Sequence, residues 1–232
     1  MKALILLHGA LGAKDQLQPL ADSLQDGFNA HSINFSGHGG TAFPSKRFSI
    51  ELFAQDVLQY MQQHKIENAA VFGYSMGGYV GMYLAKHFPE KIAALATLAT
   101  KYHWNAAIAE NEIKMLDPAT IQQKVPAFAK ELATRHAPQD WKELLFRTAE
   151  LLTSLGVESV LNDADLRSIS SRCLLMLGDR DKMVSLEETV NVYKRLENAS
   201  LAILPSTAHP LEKADVSLLA FFIRRFIIQR EQ

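Results

Sequence analysis

Four short apolar runs in the first hundred residues, each separated from the next by a segment of another periodicity, constrain this chain more than any other feature. They are "ALILL" (3–7), "AHSINF" (30–35), "AAVFGY" (69–74) and "IAALATLA" (92–99). Between them, "KDQLQPLADSLQ" (14–25) and "SIELFAQDVLQYMQQH" (49–64) repeat apolar residues at three- and four-residue spacing, the mark of an amphipathic helix. "MGGYVGMYLAKHF" (76–88) is apolar nearly all round, as suits a helix buried against a sheet. Near-continuous apolar strands alternating with helices predict a parallel sheet covered on both faces.

The alternation stops at about residue 102. "DPATIQQKV" and "PQDWKELLFRTAELLTSLG" open on Asp-Pro or Pro helix-start signals, and no strand-like run follows until "CLLMLG" (173–178). The pattern then resumes with "SLEETVNVYKRLE" (185–197), "ASLAILP" (199–205) and a helical stretch from Pro210 to Arg230. A helical insertion of about 65 residues is too long to be an ordinary connection. The expected organisation is a doubly wound α/β core from residues 1–101 and 167–232, with an all-helical cap inserted at 102–166.

Composition narrows the function classes. The chain has 232 residues, 48% of them hydrophobic, which allows one sizeable core, and its formal net charge is -1. Near-neutral charge without a Lys/Arg block gives no footprint for nucleic acid. No apolar run approaches the roughly 18–20 residues of a membrane span. The apolar stretch from Ala3 to Leu7 falls short of the about 7–15 residues of a signal-peptide core, so it reads as a strand and the expected compartment is the cytoplasm. The single Cys173, set among apolar neighbours, reads as a core thiol. The eight histidines show no metal-ligand spacing, so no metal is expected.

The chemistry gathers around "GYSMGG" (73–78), a G-x-S-x-G match that follows a buried strand and opens a helix. A serine in a tight turn would satisfy the motif alone. A nucleophile elbow requires this strand–turn–helix context, with side-chain-free neighbours so that strand and helix pack closely. A serine hydroxyl also needs a base, and the base an orienting carboxylate, placed on loops after later strands. "LMLGDRDKMV" supplies Asp179 and Asp181 after one strand, and "LPSTAHPLEK" supplies His209 after the next. Both loops leave the carboxyl ends of their strands, where open α/β sheets build sites. His8 and His38 lie in glycine-rich loops expected to line the mouth of the site, and read as residues that hold loop backbone.

With "HGALG" (8–12), "FSGHGGT" (35–41), "GYSMGG" (73–78), "GDRDKMV" (178–184) and "STAHPLEK" (206–213) in order, the chain resembles the α/β-hydrolases over about residues 1–100 and 170–232. Carried over by position, Ser75 resembles the nucleophile, Asp181 the acid and His209 the base. The resemblance implies an oxyanion hole from the backbone N–H groups of Ala10 and Met76, with Leu11 as the reserve donor. Only seven residues precede His8, so we expect six strands, all parallel, without the family's usual first two. Pocket-wall candidates are His103 and Trp104, directly after the fourth strand, with Trp141 and Met183.

The resemblance implies a serine hydrolase acting on a small or medium carboxylic ester or thioester through an acyl-enzyme. It requires no cofactor and has a small molecule as its partner. Other chemistries on the same scaffold are a lyase, a hydrolase of carbon–carbon bonds and a cofactor-free haloperoxidase. A ligand receptor with little turnover is the alternative from another class.

Overall fold

The computed structural model describes residues 1–228. Its first half runs β1 (Lys2–Leu7), α1 (Gln18–Leu24), β2 (Phe28–Ile33), α2 (Ile50–Gln63), β3 (Ala69–Tyr74), α3 (Met76–His87) and β4 (Ile92–Leu98). Five helices follow: α4 (Ala106–Ile113), α5 (Pro118–Lys124), α6 (Pro126–His136), α7 (Trp141–Val157) and α8 (Asp163–Arg167). The core then closes with β5 (Cys173–Gly178), α9 (Leu186–Tyr193), β6 (Ala199–Leu204) and α10 (Val216–Ile228). Of the helical stretch expected up to Arg230, Gln229 and Arg230 lie outside the described residues.

The six strands form one sheet in the order β2-β1-β3-β4-β5-β6, every neighbouring pair parallel. This is the α/β architecture that the alternation predicts. Side-chain parity splits each strand between two cores. Ile5, Leu7, Val71, Leu95 and Leu175 face the cluster that includes residues of α2, α3 and α9. Leu4, Leu6, Phe72, Ala96 and Leu174 face the cluster that includes residues of α1 and α10. Both faces of the four inner strands are therefore largely dry, which is why those strands carry so little polar alternation, while the edge strands β2 and β6 are only partly covered.

β2 starts two residues earlier than its apolar run. Lys2 pairs with Phe28 and Leu7 with Ile33, so the register with β1 sets its limits. Asn34 and Phe35 have already turned out of the strand. Asn34 accepts from the N–H of Lys14 at 2.7 Å, and the N–H of Phe35 donates to His8 Nε2 at 3.2 Å.

Helix ends follow local chemistry. Ser49 caps α2 through the N–H of Leu52, Asn105 caps α4 through Ile108, and Asp140 caps α7 through Lys142. Pro118 and Pro126 open α5 and α6, where a missing N–H costs nothing. The 17-residue α7 buries Leu144, Leu145, Thr148, Leu151 and Leu155 along one face. It thereby seats the helical cap on the core, since Leu144, Leu151 and Leu155 belong to the core cluster on the α2–α3 side of the sheet.

The strand order reverses between β1 and β3. Ligands of open α/β sheets bind at such a switch point, outside the strands' carboxyl ends. Here the loop after β1 and the turn into α3 meet.

Candidate active site

The turn into α3 is strained in one residue. Ser75 has φ 50° and ψ -117°, a region L side chains rarely occupy. Its N–H donates to Leu98 O at 2.8 Å, and its carbonyl accepts from Thr100 Oγ1 at 3.1 Å, so the end of β4 holds the elbow in place. The flanking glycines are required by contact. A Cβ on Gly73 would sit 2.4 Å from Gly77 O, and one on Gly77 would sit 2.5 Å from Leu7 O.

His209 and Asp181 meet at 2.8 Å, Nδ1 to Oδ2, with the Asp181 side chain almost wholly buried. The other carboxylate oxygen of Asp181 accepts from the N–H groups of Met183 and Val184 at 2.8 and 2.9 Å. Burial alone would push the Asp181 carboxyl up. The hydrogen bonds from His209, Val184 and Met183 outweigh it and hold the group below the usual carboxylate range. A carboxylate accepting at Nδ1 leaves Nε2 of the neutral ring as an acceptor. Tyr74, which sequence reasoning did not single out, fixes this loop by donating its hydroxyl to His209 O at 3.0 Å.

Asp179 is used differently. Its Oδ1 accepts from the N–H of Thr207 at 3.1 Å, while Arg180 N donates to Thr207 O at 3.0 Å. It braces the loop after β5 against the loop after β6.

The loop after β1 supplies donors. Ala10 and Leu11 have N–H groups without a partner among the described residues, and Met76 opens α3, whose first N–H groups have no intrahelical acceptor. Leu11 itself has φ 58°. Its carbonyl is held from the cap: His136 Nε2–H donates to it at 3.0 Å and Arg135 Nη1 at 3.3 Å. His136 Nδ1 accepts from Gly39 N at 3.0 Å, so the ring must be neutral and carry its proton on Nε2. A lone histidine at the end of a helix carries no sequence signal of this role.

His8 and His38 lie beneath the site and not at its mouth, because both are essentially unexposed. His8 Nδ1–H donates to Gly9 O at 2.8 Å, and His38 Nδ1–H to Ser36 O at 3.0 Å. Burial lowers His8 to about 4 and moves His38 well below its ordinary value, so both stay neutral.

A cavity of about 600 Å³ unites these parts. Ser75, Met76, Ala10, Leu11 and His209 line its floor, and Leu116, Phe128, Thr148, Leu151, Leu152 and Leu155 its cap side. Of the pocket-wall candidates, Trp104 and Met183 face this cavity. His103 lines a second cavity instead, and its N–H donates to Glu188 Oε1 at 2.9 Å. Trp141 packs instead beside Ile121, Ala129, Leu132 and Leu145 within the cap. Two cations of the described residues reach the cavity and both are paired: Lys101 with Glu112 at 3.3 Å, and Arg135 with Glu131. Among the described residues no helix is long and apolar enough to cross a membrane.

The family model described as alpha/beta hydrolase fold matches residues 2–156. Two curated relatives align over nearly the whole chain. One, from Bacillus subtilis (strain 168), is provisionally assigned as a 2-succinyl-6-hydroxy-2,4-cyclohexadiene-1-carboxylate synthase; it is 24% identical, covering 97% of this chain and 90% of its own. The other is a pimeloyl-[acyl-carrier protein] methyl ester esterase from Neisseria meningitidis, 23% identical over 98% of this chain and 94% of its own. Among solved structures, a hydrolase from Pseudomonas aeruginosa PA01 superposes with a TM-score of 0.76 at 19% identity, over 97% of this chain and 89% of that one. These likenesses fix the fold.

Proposed function

The chain belongs to the alpha/beta-hydrolase family, and from that premise we propose that it is a serine hydrolase cleaving a small or medium carboxylic ester. The observation that carries the reading is the 2.8 Å contact of buried Asp181 with His209, which lines the same cavity as Ser75. Ser75 Oγ attacks the ester carbonyl while His209 Nε2 takes its proton. Asp181 keeps that nitrogen free by binding Nδ1–H and stabilises the imidazolium that forms. The carbonyl oxygen becomes an anion, which the N–H groups of Ala10 and Met76 receive; Met76 adds the positive end of α3. His209 returns the proton to the departing alcohol. Water then repeats the sequence on the acyl-enzyme and releases the acid. Residues of this chain supply every group in that scheme.

The cavity favours a neutral ester with an apolar acyl part. Leu116, Phe128, Leu151, Leu152 and Leu155 offer apolar surface, each buried methylene contributing about 0.8 kcal/mol. A substrate bearing free carboxylates would have to break the Lys101–Glu112 or Arg135–Glu131 pair to find a cation in this cavity. That sets the ester reading ahead of the lyase reading.

The test is turnover of a panel of p-nitrophenyl esters, thioesters and vinylogous diketones, with Ser75→Ala as control. Labelling by a fluorophosphonate reports on the serine directly. Ester turnover and labelling that both vanish in Ser75→Ala support the reading. Labelling without ester turnover moves it to another chemistry on the same serine, and an unlabelled Ser75 to a ligand-binding role.

A further inference from the structure

We propose that Trp104 is a side-chain partition between the cavity of Ser75 and a second cavity behind it, and that its bulk sets the longest acyl chain the protein accepts. The proposal rests on the hydrolase reading of the first cavity.

The second cavity, of about 660 Å³, lies between the segment after β4, the turn after α7 and α9. Its walls include Tyr102, Ile108, Ser159, Leu161, Asn191 and Val192. Among the described residues, Trp104 alone lines both spaces. Beside it, Tyr79 on the wall of the first cavity meets Ser159 on the wall of the second, hydroxyl to hydroxyl at 2.9 Å. Ser159 donates onward to Leu161 O at 2.9 Å, so the Tyr79 hydroxyl is the donor of the pair. The division thus includes one indole and one hydrogen-bonded pair of side chains.

The backbone that carries Trp104 is pinned while its ring is not. Tyr102 N and His103 N both donate to Glu188 Oε1, at 2.7 and 2.9 Å, and Lys101 Nζ donates to Met183 O at 2.6 Å. Asn105 caps α4 immediately after. The indole, by contrast, is held only by apolar packing, and its buried Nε1–H has no partner among the described residues. A buried donor without an acceptor is unfavourable, and an oxygen on a ligand lying against Trp104 would relieve it. Size makes the partition effective, and the absence of a hydrogen bond makes it removable.

The test is the chain-length profile of p-nitrophenyl esters from acetate to palmitate. In the native protein kcat/KM should climb about three- to fourfold per methylene while the chain lies on apolar wall, then fall where the chain meets Trp104. Trp104→Ala joins the cavities, so the maximum should move to longer chains. The ratio of long-chain to short-chain kcat/KM should rise by at least about tenfold, the gain of two further buried methylenes. Trp104→Leu, which removes less volume, should give a smaller shift in the same direction and serves if the alanine variant folds poorly.

A second measurement leaves the residue in place. The chain has two tryptophans, so in Trp141→Phe the emission of Trp104 is observed alone. Long-tailed n-alkyl trifluoromethyl ketones should shift that emission, and short-tailed ones should not. Ester turnover with an unchanged length maximum in both Trp104 variants overturns the partition while leaving the hydrolase reading intact. Equal emission changes with short and long tails overturn it as well. Absence of ester turnover in the native protein removes the hydrolase reading and the partition with it.

Discussion

Asp181 and Asp179 stand two residues apart and face different partners: Asp181 Oδ2 meets His209 Nδ1 at 2.8 Å, whereas Asp179 Oδ1 meets the N–H of Thr207 at 3.1 Å. Asp181→Asn should keep the fold but favour the wrong imidazole tautomer, lowering kcat by on the order of 10²–10⁴; the corresponding change in a serine protease triad costs about 10⁴. Asp179→Asn should cost about 1 kcal/mol of stability through the weakened brace, with kcat nearly kept. Measuring kcat and melting temperature for both variants separates the roles. The reverse pattern would assign the acid to Asp179.

Gly77→Ala tests the elbow without touching Ser75. The new methyl would stand 2.5 Å from Leu7 O and 2.6 Å from His8 O, both backbone atoms that cannot rotate away. It should push α3 from the end of β1, destabilise the protein by about 1–3 kcal/mol, and separate Ser75 from the donors after β1. Fluorophosphonate labelling should slow at a temperature where the variant remains folded. Native labelling and native melting would show that the turn has slack.

His136 ties cap to core through two loops, and its replacements divide packing from hydrogen bonding. His136→Leu leaves Gly39 N without its acceptor and Leu11 O with Arg135 alone. We expect kcat to fall by on the order of 10–10²-fold as the Ala10–Leu11 donors drift, with KM changed less. His136→Gln retains a donor and an acceptor and should recover much of the loss. A leucine variant with native kcat would confine His136 to stability.

Three buried histidines set an acid limit. Burial lowers His8 to about 4, His38 well below its ordinary value, and His136 in the same direction. An unfolded chain protonates these rings at about 6.5, so below that pH it binds more protons than the folded chain. The stabilisation is therefore full above about 6.5 and is lost as pH falls towards the folded values. For His8 the gap amounts to on the order of 3 kcal/mol. Urea midpoints should already drop between pH 6.5 and 5, where ordinary carboxylates remain ionised. A midpoint constant over that interval would contradict the neutral burial of these side chains.

Much of this architecture is legible in the chain itself because the signals are local. Apolar runs such as "AAVFGY" and the helical periods between them announce six parallel strands and both covered faces. Glycines at 73 and 77 announce a close strand–helix approach. The order of Ser75, Asp181 and His209 after β3, β5 and β6 needs no knowledge of packing. Even the different partners of the two aspartates follow from how far each stands from the strand end.

Only the tertiary structure decides the rest. The bond from His136 to Leu11 spans 125 positions, and nothing in "ATRHAPQD" marks that histidine out. Trp104 and His103 are neighbours in the chain and both line the second cavity, yet of the two only Trp104 also reaches the cavity of Ser75, on a backbone that Glu188 of α9 holds between core and cap. β2 begins at Phe28 because its partner β1 begins at Lys2. Periodicity records which face of an element is apolar, but not which neighbour that face will meet. The rotation and tilt of the cap helices, and hence the cavity wall, come from side chains packing across elements far apart in sequence.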